Sequence, residues 1–245
     1  MANTHIKDNI YASPLNTVED FVFDSAVVDV FSDMIKRSVP GYQTIISTIG
    51  HLAQVHSQPN STIYDLGCSL GTATLAMRRS IKHENVKIIA VDNSQAMVDK
   101  CNLHLQGYKS PISTQVICDD ILNIEIENAS LVVLNFTLQF LNPNDRLQLI
   151  SRIYQGLKPG GLLVLSEKLS FNDTTCNALI DELHLDFKRA NGYSELEISQ
   201  KRSAIENVMR IDSLECHYDR FKQAGFDHFQ QWYQCFNFTS MVAIK

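Results

Sequence analysis

From residue 61 onward the chain alternates short apolar runs with amphipathic stretches, and nothing else in it constrains the fold as strongly. Thr62 to Leu66, Val86 to Val91, Gln115 to Cys118, Ser130 to Asn135 and Leu162 to Ser166 read as strands. Segments near 72–82, 95–106 and 144–156 read as the helices between them. Strand and helix in turn at this spacing predict an α/β fold, a parallel sheet with helices on both faces. The rhythm breaks after Lys168. Residues 174–210 carry the pattern of two consecutive helices joined at Asn191-Gly192, where glycine can take a left-handed cap. The second opens on Ser194-x-x-Glu197, a capping box. Strand pattern returns near Phe229 to Tyr233 and Phe236 to Ile244, after a turn at Ala224-Gly225-Phe226. Upstream, residues 21–55 have helical spacing interrupted at Ser38-Val39-Pro40-Gly41-Tyr42, a turn. Residues 1–20 are polar and unpatterned. The expected organisation is a loose arm over 1–20 and a single domain over 21–245 with a helical insertion at 169–215.

Composition removes several classes of function. At 245 residues, 44% hydrophobic and 20% charged, the chain is globular and not disordered. Acids outnumber bases 27 to 21. A surface that tracks phosphates needs a positive excess, so direct nucleic-acid binding is not expected. The six cysteines show no CxxC pair and no Cys/His metal spacing, the pattern of a reduced intracellular chain without a metal site. MANTHIKDNI lacks the apolar core of a secretory signal, and no apolar stretch approaches the ~20 residues of a membrane span. A cytoplasmic protein is the expectation.

Tyr64-Asp65-Leu66-Gly67-Cys68-Ser69-Leu70-Gly71-Thr72 is a strand running through small residues into a helix. Small residues there let backbone approach a ligand, with helix amides aimed at it. A dinucleotide loop would place glycines at 67, 69 and 72, where the chain has Gly, Ser and Thr. The same letters spell G-x-S-x-G, a hydrolase nucleophile elbow at Ser69. That elbow follows several strands and needs a later acid and histidine; His217 and His228 are available, but nothing singles them out. The third register, Gly67, Ser69 and Gly71, resembles motif I of the class I S-adenosylmethionine-dependent methyltransferases, where no diphosphate has to be cradled. A tight turn without a ligand would use similar residues.

Residues downstream of the loop favour the third register. Asp92 ends the next strand, 21 residues beyond Gly71, where a carboxylate can accept both ribose hydroxyls. The bland alternative is helix capping, which Asn93 or Ser94 could also supply. Asp120 and Ile121 follow the third strand, an acid for an adenine amino group and an apolar side chain for its ring face. A turn aspartate is the competing role. Asn135 ends a strand that reads as buried, and Gly156-Leu157-Lys158-Pro159-Gly160-Gly161 resembles the methyltransferase turn into strand five.

One cation sits awkwardly. Ile198, Arg202, Ile205 and Met209 are spaced to share one helix stripe. A guanidinium buried there needs an anion, since leaving it unpaired costs several kcal/mol. Glu206, four residues on, could supply an ordinary surface pair. A ligand carboxylate, held bidentately, is the other partner.

FSDMIKRSVPGY (31–42), YDLGCSLG (64–71), VDNSQAM (91–97), LNFTLQFL (134–141), IYQGLKPGG (153–161) and DFKRANGYSELEISQKR (186–202) together closely resemble the bacterial carboxy-S-adenosylmethionine synthases, a branch of the class I methyltransferase superfamily. The likeness runs from about Phe21 to the C-terminus, and its most discriminating stretch lies outside the shared cofactor motifs. Cys118-Asp119 stands where the family has Gly-Asp. The resemblance implies a Rossmann-like, mostly parallel seven-stranded sheet. It places ligand contacts on Tyr42, Gly67, Cys68, Ser69, Asp92, Asn93, Asp120, Ile121, Asn135 and Arg202. The implied reaction takes carbon dioxide and water from prephenate to give phenylpyruvate. The methyl group of S-adenosyl-L-methionine becomes carboxymethyl, by way of an ylide that captures the carbon dioxide. Carboxy-S-adenosyl-L-methionine is the product, no metal takes part, and no dedicated nucleophile is needed. Arg202, the one residue given a catalytic role, would pair with the product carboxylate, supplied within a homodimer. A separate tRNA carboxymethyltransferase would consume the product. An ordinary methyltransferase and a non-catalytic nucleoside-binding module are the alternatives.

Overall fold

The computed structural model describes residues 6–245. A seven-stranded sheet in the order β3-β2-β1-β4-β5-β7-β6 forms its centre. Strands β1 (Thr62–Leu66), β2 (Lys87–Asp92), β3 (Ser113–Cys118), β4 (Ala129–Asn135) and β5 (Leu157–Lys168) run parallel. β7 (Phe238–Ile244) is antiparallel to both β5 and β6 (His228–Cys235). Central parallel strands are covered on both faces and so read as unbroken apolar runs. Hence every residue of β4 but the last is buried, whereas edge strand β3 is at most half-buried.

Alternate side chains of β4 supply two cores. Leu131 and Val133 point toward α2 (Tyr42–His56) and α3 (Thr72–Ser80), packing with Ile45, Ile49 and Met77. Val132 and Leu134 face α5 (Pro143–Gly156) and α8 (Leu214–Ala224), among Leu149, Ile153 and Phe221. Fully burying one such side chain contributes about 2–3 kcal/mol. The remaining helices are α1 (Ser25–Ser38), α4 (Gln95–Gln106), α6 (Thr174–Ala190) and α7 (Glu195–Ile205). Among the described residues no helix is long and apolar enough to cross a membrane.

β1 lies between β2 and β4, so successive crossovers leave it in opposite directions. That reversal opens a crevice at the carboxyl ends of β1 and β4, the place where such sheets bind ligands. Gly67, Asp92, Asp120 and Asn135 fall there, whereas the Gly156–Gly161 turn lies at the opposite end of the sheet, beside Ala129 at the start of β4.

Several elements differ from expectation. α7 stops at Ile205, so Met209 lies in the irregular segment beyond the turn at 206–208 and does not complete a helical stripe. The Ser194–Glu197 capping box forms as expected. α8 is a helix that the sequence pattern did not disclose, because its buried face contains His217 and Arg220 beside Phe221. β7 begins at Phe238, after a turn in which Phe236 takes φ 51°. Residues 6–20, read from sequence as part of a loose arm, carry no helix or strand yet are tied down. Asp8 is 1% exposed and accepts from the Tyr193 hydroxyl at 2.5 Å, with Lys201 Nζ at 3.5 Å. Gln200 Nε2 donates to the carbonyls of Tyr11 and Ser13. The first five residues of the arm lie outside the described residues.

Candidate active site

β1 ends at Leu66 and the chain turns into α3 through Gly67, Ser69 and Gly71, all at positive φ (84°, 50° and 78°). A Cβ on Gly67 would lie 2.3 Å from Thr137 Oγ1, so only glycine fits that position. The amides of Gly67 and Cys68 donate to Val91 O at 2.8 and 2.9 Å, which clamps the loop to the end of β2. Gly71 caps α3 without a side-chain acceptor, leaving first-turn amides directed at the crevice.

Asp92 completes the clamp. Its Oδ2 accepts the Ser69 amide at 2.8 Å and its Oδ1 the Ser94 amide at 3.0 Å. Each oxygen keeps a lone pair for a hydroxyl donor. Burial raises its pKa, against the lowering effect of those two amides. Helix α4 does not need Asp92 as a cap, because Ser94 Oγ accepts the Met97 amide. Asp120 does serve as a turn residue: Oδ1 accepts the Leu122 amide at 2.8 Å, which leaves Oδ2 for a ligand. Ile121 beside it is buried. Asn135 Oδ1, at the end of β4, is buried without a hydrogen-bond partner among the described residues. An unmet acceptor there costs about 1–3 kcal/mol and is relieved by a ligand N–H or O–H. Tyr42 opens α2, and burial pushes its hydroxyl up to about 12, so it remains a donor.

The hydrolase reading does not survive this geometry. Ser69 Oγ contacts Met97 Sδ at 3.4 Å and has no histidine beside it. His217 is held by Arg220 Nη1 at 3.0 Å in a buried network outside the crevice, and His228 is exposed on β6.

The crevice is a cavity of about 510 Å³, lined by all ten residues on which the resemblance placed ligand contacts: Tyr42, Gly67, Cys68, Ser69, Asp92, Asn93, Asp120, Ile121, Asn135 and Arg202. Asp65, Asp92 and Asp120 line it from β1, β2 and the turn after β3. Lys168, Lys188, Lys201 and Arg202 line it from β5, α6 and α7, with the acids Asp181 and Glu206 among them. Phe23, also in the lining, stacks edge-on against Phe31 and Phe140, with centroids 6.1 and 5.5 Å apart. Arg202 is exposed, and among the described residues its guanidinium forms neither an ion pair with Glu206 nor a hydrogen bond. Of the two partners the spacing offered, the Glu206 surface pair does not form; the buried cation of α7 is Lys201, and Arg202 lines the cavity. Among the described residues no cluster of His, Cys, Asp and Glu side chains could hold a metal ion.

Residues 63–161 match a family model described as a methyltransferase domain. A carboxy-S-adenosyl-L-methionine synthase of Vibrio parahaemolyticus is 62% identical over 238 residues, covering 97% of each chain. One from Shewanella pealeana is 60% identical over 239 residues, covering 98% of each. The chain belongs to the carboxy-S-adenosyl-L-methionine synthase family. Solved structures widen the view of its fold. An O-methyltransferase family protein of Burkholderia thailandensis superposes with TM-score 0.66 at 16% identity, covering 91% of this chain and 60% of that one. Human N-acetylserotonin methyltransferase, solved in complex with S-adenosylmethionine, gives TM-score 0.61 at 18% identity, covering 90% of this chain and 55% of that one. At such identities the likeness is one of fold, the class I methyltransferase fold. This chain spans little more than half the length of those enzymes.

In this member of the synthase family, sequence reasoning missed the wall built by α6. Asp181, His184, Leu185 and Lys188 line the cavity from this helix, while Leu179 (61% exposed) and Leu183 (39%) are exposed. The spacing of those three polar residues, three then four, was the available clue. His184 Nε2 lies 2.8 Å from Ser38 O, and burial with the cations nearby lowers its pKa to about 3, so it stays neutral.

Proposed function

We propose that the protein converts S-adenosyl-L-methionine and prephenate to carboxy-S-adenosyl-L-methionine and phenylpyruvate. The observation that carries this reading is that four cations, Lys168, Lys188, Lys201 and Arg202, line the same cavity as the strand-end acids, and that neither Lys188 nor Arg202 has an ion-pair partner among the described residues. A sulfonium nucleoside suits the strand-end carboxylates, and a dianionic acid suits the unpaired cations. Ordinary methyl transfer gives no reason for those cations.

S-adenosyl-L-methionine supplies the methyl carbon that receives the carboxyl group. Asp92 would bind its ribose hydroxyls, Asp120 and Ile121 its adenine, and Asn135 Oδ1 a donor of its methionine part. Gly67, Cys68 and Ser69 pass beneath it, and Tyr42 and Asn93 close the sides. The aromatic wall excludes water, which keeps carbon dioxide released from prephenate beside its acceptor. Arg202 would then hold the new carboxylate. A charge-assisted pair of about 2–3 kcal/mol favours the carboxylated nucleoside over its precursor by roughly 30- to 150-fold.

The outward leucines of α6 support a homodimer in which that face is covered and Arg202 borders a shared site. A cytoplasmic enzyme is proposed, whose product is consumed by a separate tRNA carboxymethyltransferase. The excess of acids over bases, 27 to 21, fits a protein that does not itself hold tRNA. A time course tests the reaction: phenylpyruvate should form in step with loss of S-adenosyl-L-methionine. Formation of S-adenosylhomocysteine instead would mark an ordinary methyltransferase, and tight nucleoside retention without turnover a binding module.

A further inference from the structure

Of the cations on the insertion side, Lys201 and Lys168 have partners. Lys201 Nζ lies 3.5 Å from Asp8 Oδ2 and 3.3 Å from Ser38 Oγ. Lys168 Nζ lies 3.7 Å from Asp181 Oδ1, which also accepts from Asn237 Nδ2. Lys188 is different. It lines the cavity half-buried, and among the described residues no ion pair or hydrogen bond reaches its ammonium. Lys168, Lys201, Arg202 and neutral His184 face it, with the carboxylate of Asp181 among them. Burial and those cations drive its pKa down to about 7. Such a group is unfavourable in the empty cavity and is relieved by an anion.

The two carboxylates of the proposed substrate have different fates. One departs as carbon dioxide, and a strong ion pair to it would stabilise the ground state more than the transition state. The other survives in the keto-acid product, so it can be gripped without slowing the reaction. We propose that Lys188 binds this surviving carboxylate and so positions the acid substrate in the cavity. The assignment rests on the reaction proposed above.

The test is calorimetric titration of prephenate into protein saturated with S-adenosylhomocysteine, which lacks the methyl group and so holds the site without reacting. Lys188→Met should weaken prephenate about thirtyfold, equivalent to ~2 kcal/mol, while leaving S-adenosylhomocysteine affinity unchanged. In turnover the same variant should raise KM for prephenate and largely spare kcat. Near pH 8 the wild-type protein should take up protons on binding prephenate, read from buffers of different ionisation enthalpy. Lys188→Arg should bind with near wild-type affinity and take up fewer protons, the remainder coming from Lys201, whose pKa is lowered to about 8. Wild-type prephenate affinity in Lys188→Met, with carboxylated nucleoside still made by the wild-type protein, overturns the assignment and leaves the reaction standing. If Lys188→Met loses S-adenosylhomocysteine as well, Lys188→Arg decides: unchanged proton uptake refutes the role. If the wild-type protein makes no carboxylated nucleoside, both readings fall together.

Discussion

Replacing Arg202 with alanine separates a ligand role from a structural one unusually cleanly. The side chain is exposed and has no protein partner among the described residues, so its removal orphans no acceptor. Stability should therefore change by no more than ~0.5 kcal/mol, the usual range for a surface position. Binding of S-adenosyl-L-methionine should be unaltered, because no carboxylate sits at its methyl. The carboxylated nucleoside should lose one charge-assisted contact, about 2–3 kcal/mol, or roughly 30- to 150-fold in Kd. Lys in place of Arg keeps the charge but not the planar fork, and should fall between the two. Calorimetric titration of both nucleosides into wild type, Arg202→Ala and Arg202→Lys measures the ratio directly. Equal weakening of both ligands would make Arg202 structural, and unchanged affinity for the carboxylated form would remove it from the site.

Other positions give independent checks. Asp92→Ala should weaken both nucleosides at least tenfold, by loss of the ribose acceptor and of the Ser69 amide clamp, ~1.4 kcal/mol or more; normal affinity for both would refute the ribose assignment. Asp8→Ala should lower unfolding free energy by about 3 kcal/mol in urea titration, because it leaves buried Lys201 without its acid; a change within ~0.5 kcal/mol would show that the arm contributes no anchor. Glu167 is fully buried, and burial lifts its pKa from 4.5 to about 8 despite Arg146 nearby. Its folded form thus holds a proton that the unfolded chain has released, so this group's stabilising contribution is greatest below pH 4.5 and is lost as pH rises toward 8. Glu167→Gln should flatten that slope in denaturant midpoints taken between pH 5 and 8; an unchanged slope would show that another group sets it.

The strand-end side of this cavity was legible in the chain because its geometry is local. A turn at positive φ needs Gly67 within the strand–helix junction itself, and Asp92 sits at a fixed distance along the same βαβ unit. The central strands were equally plain, since Val132 to Leu134 are covered on both faces and need no alternation. The insertion side was not legible. Whether Lys201 or Arg202 turns inward depends on Asp8, 193 residues away, and no helical spacing encodes that contact. α6 puts Asp181, His184 and Lys188 beside Leu185 in the cavity wall and leaves Leu179 and Leu183 exposed, so a rule that sends apolar faces to the core does not find its working face. α8 escaped for a related reason: Arg220 and Arg146 both reach Asp212, at 2.6 and 2.7 Å, which makes a buried face of charged residues stable.

On the function proposed above, this cavity makes and keeps a carboxylated nucleoside. Mass spectrometry of the nucleoside released from denatured protein, before and after incubation with S-adenosyl-L-methionine and prephenate, tests it most directly. A species heavier than S-adenosyl-L-methionine by one carbon dioxide, accompanied by phenylpyruvate, is the expected result. Recovery of S-adenosyl-L-methionine alone from folded protein, with no phenylpyruvate formed, would contradict the account.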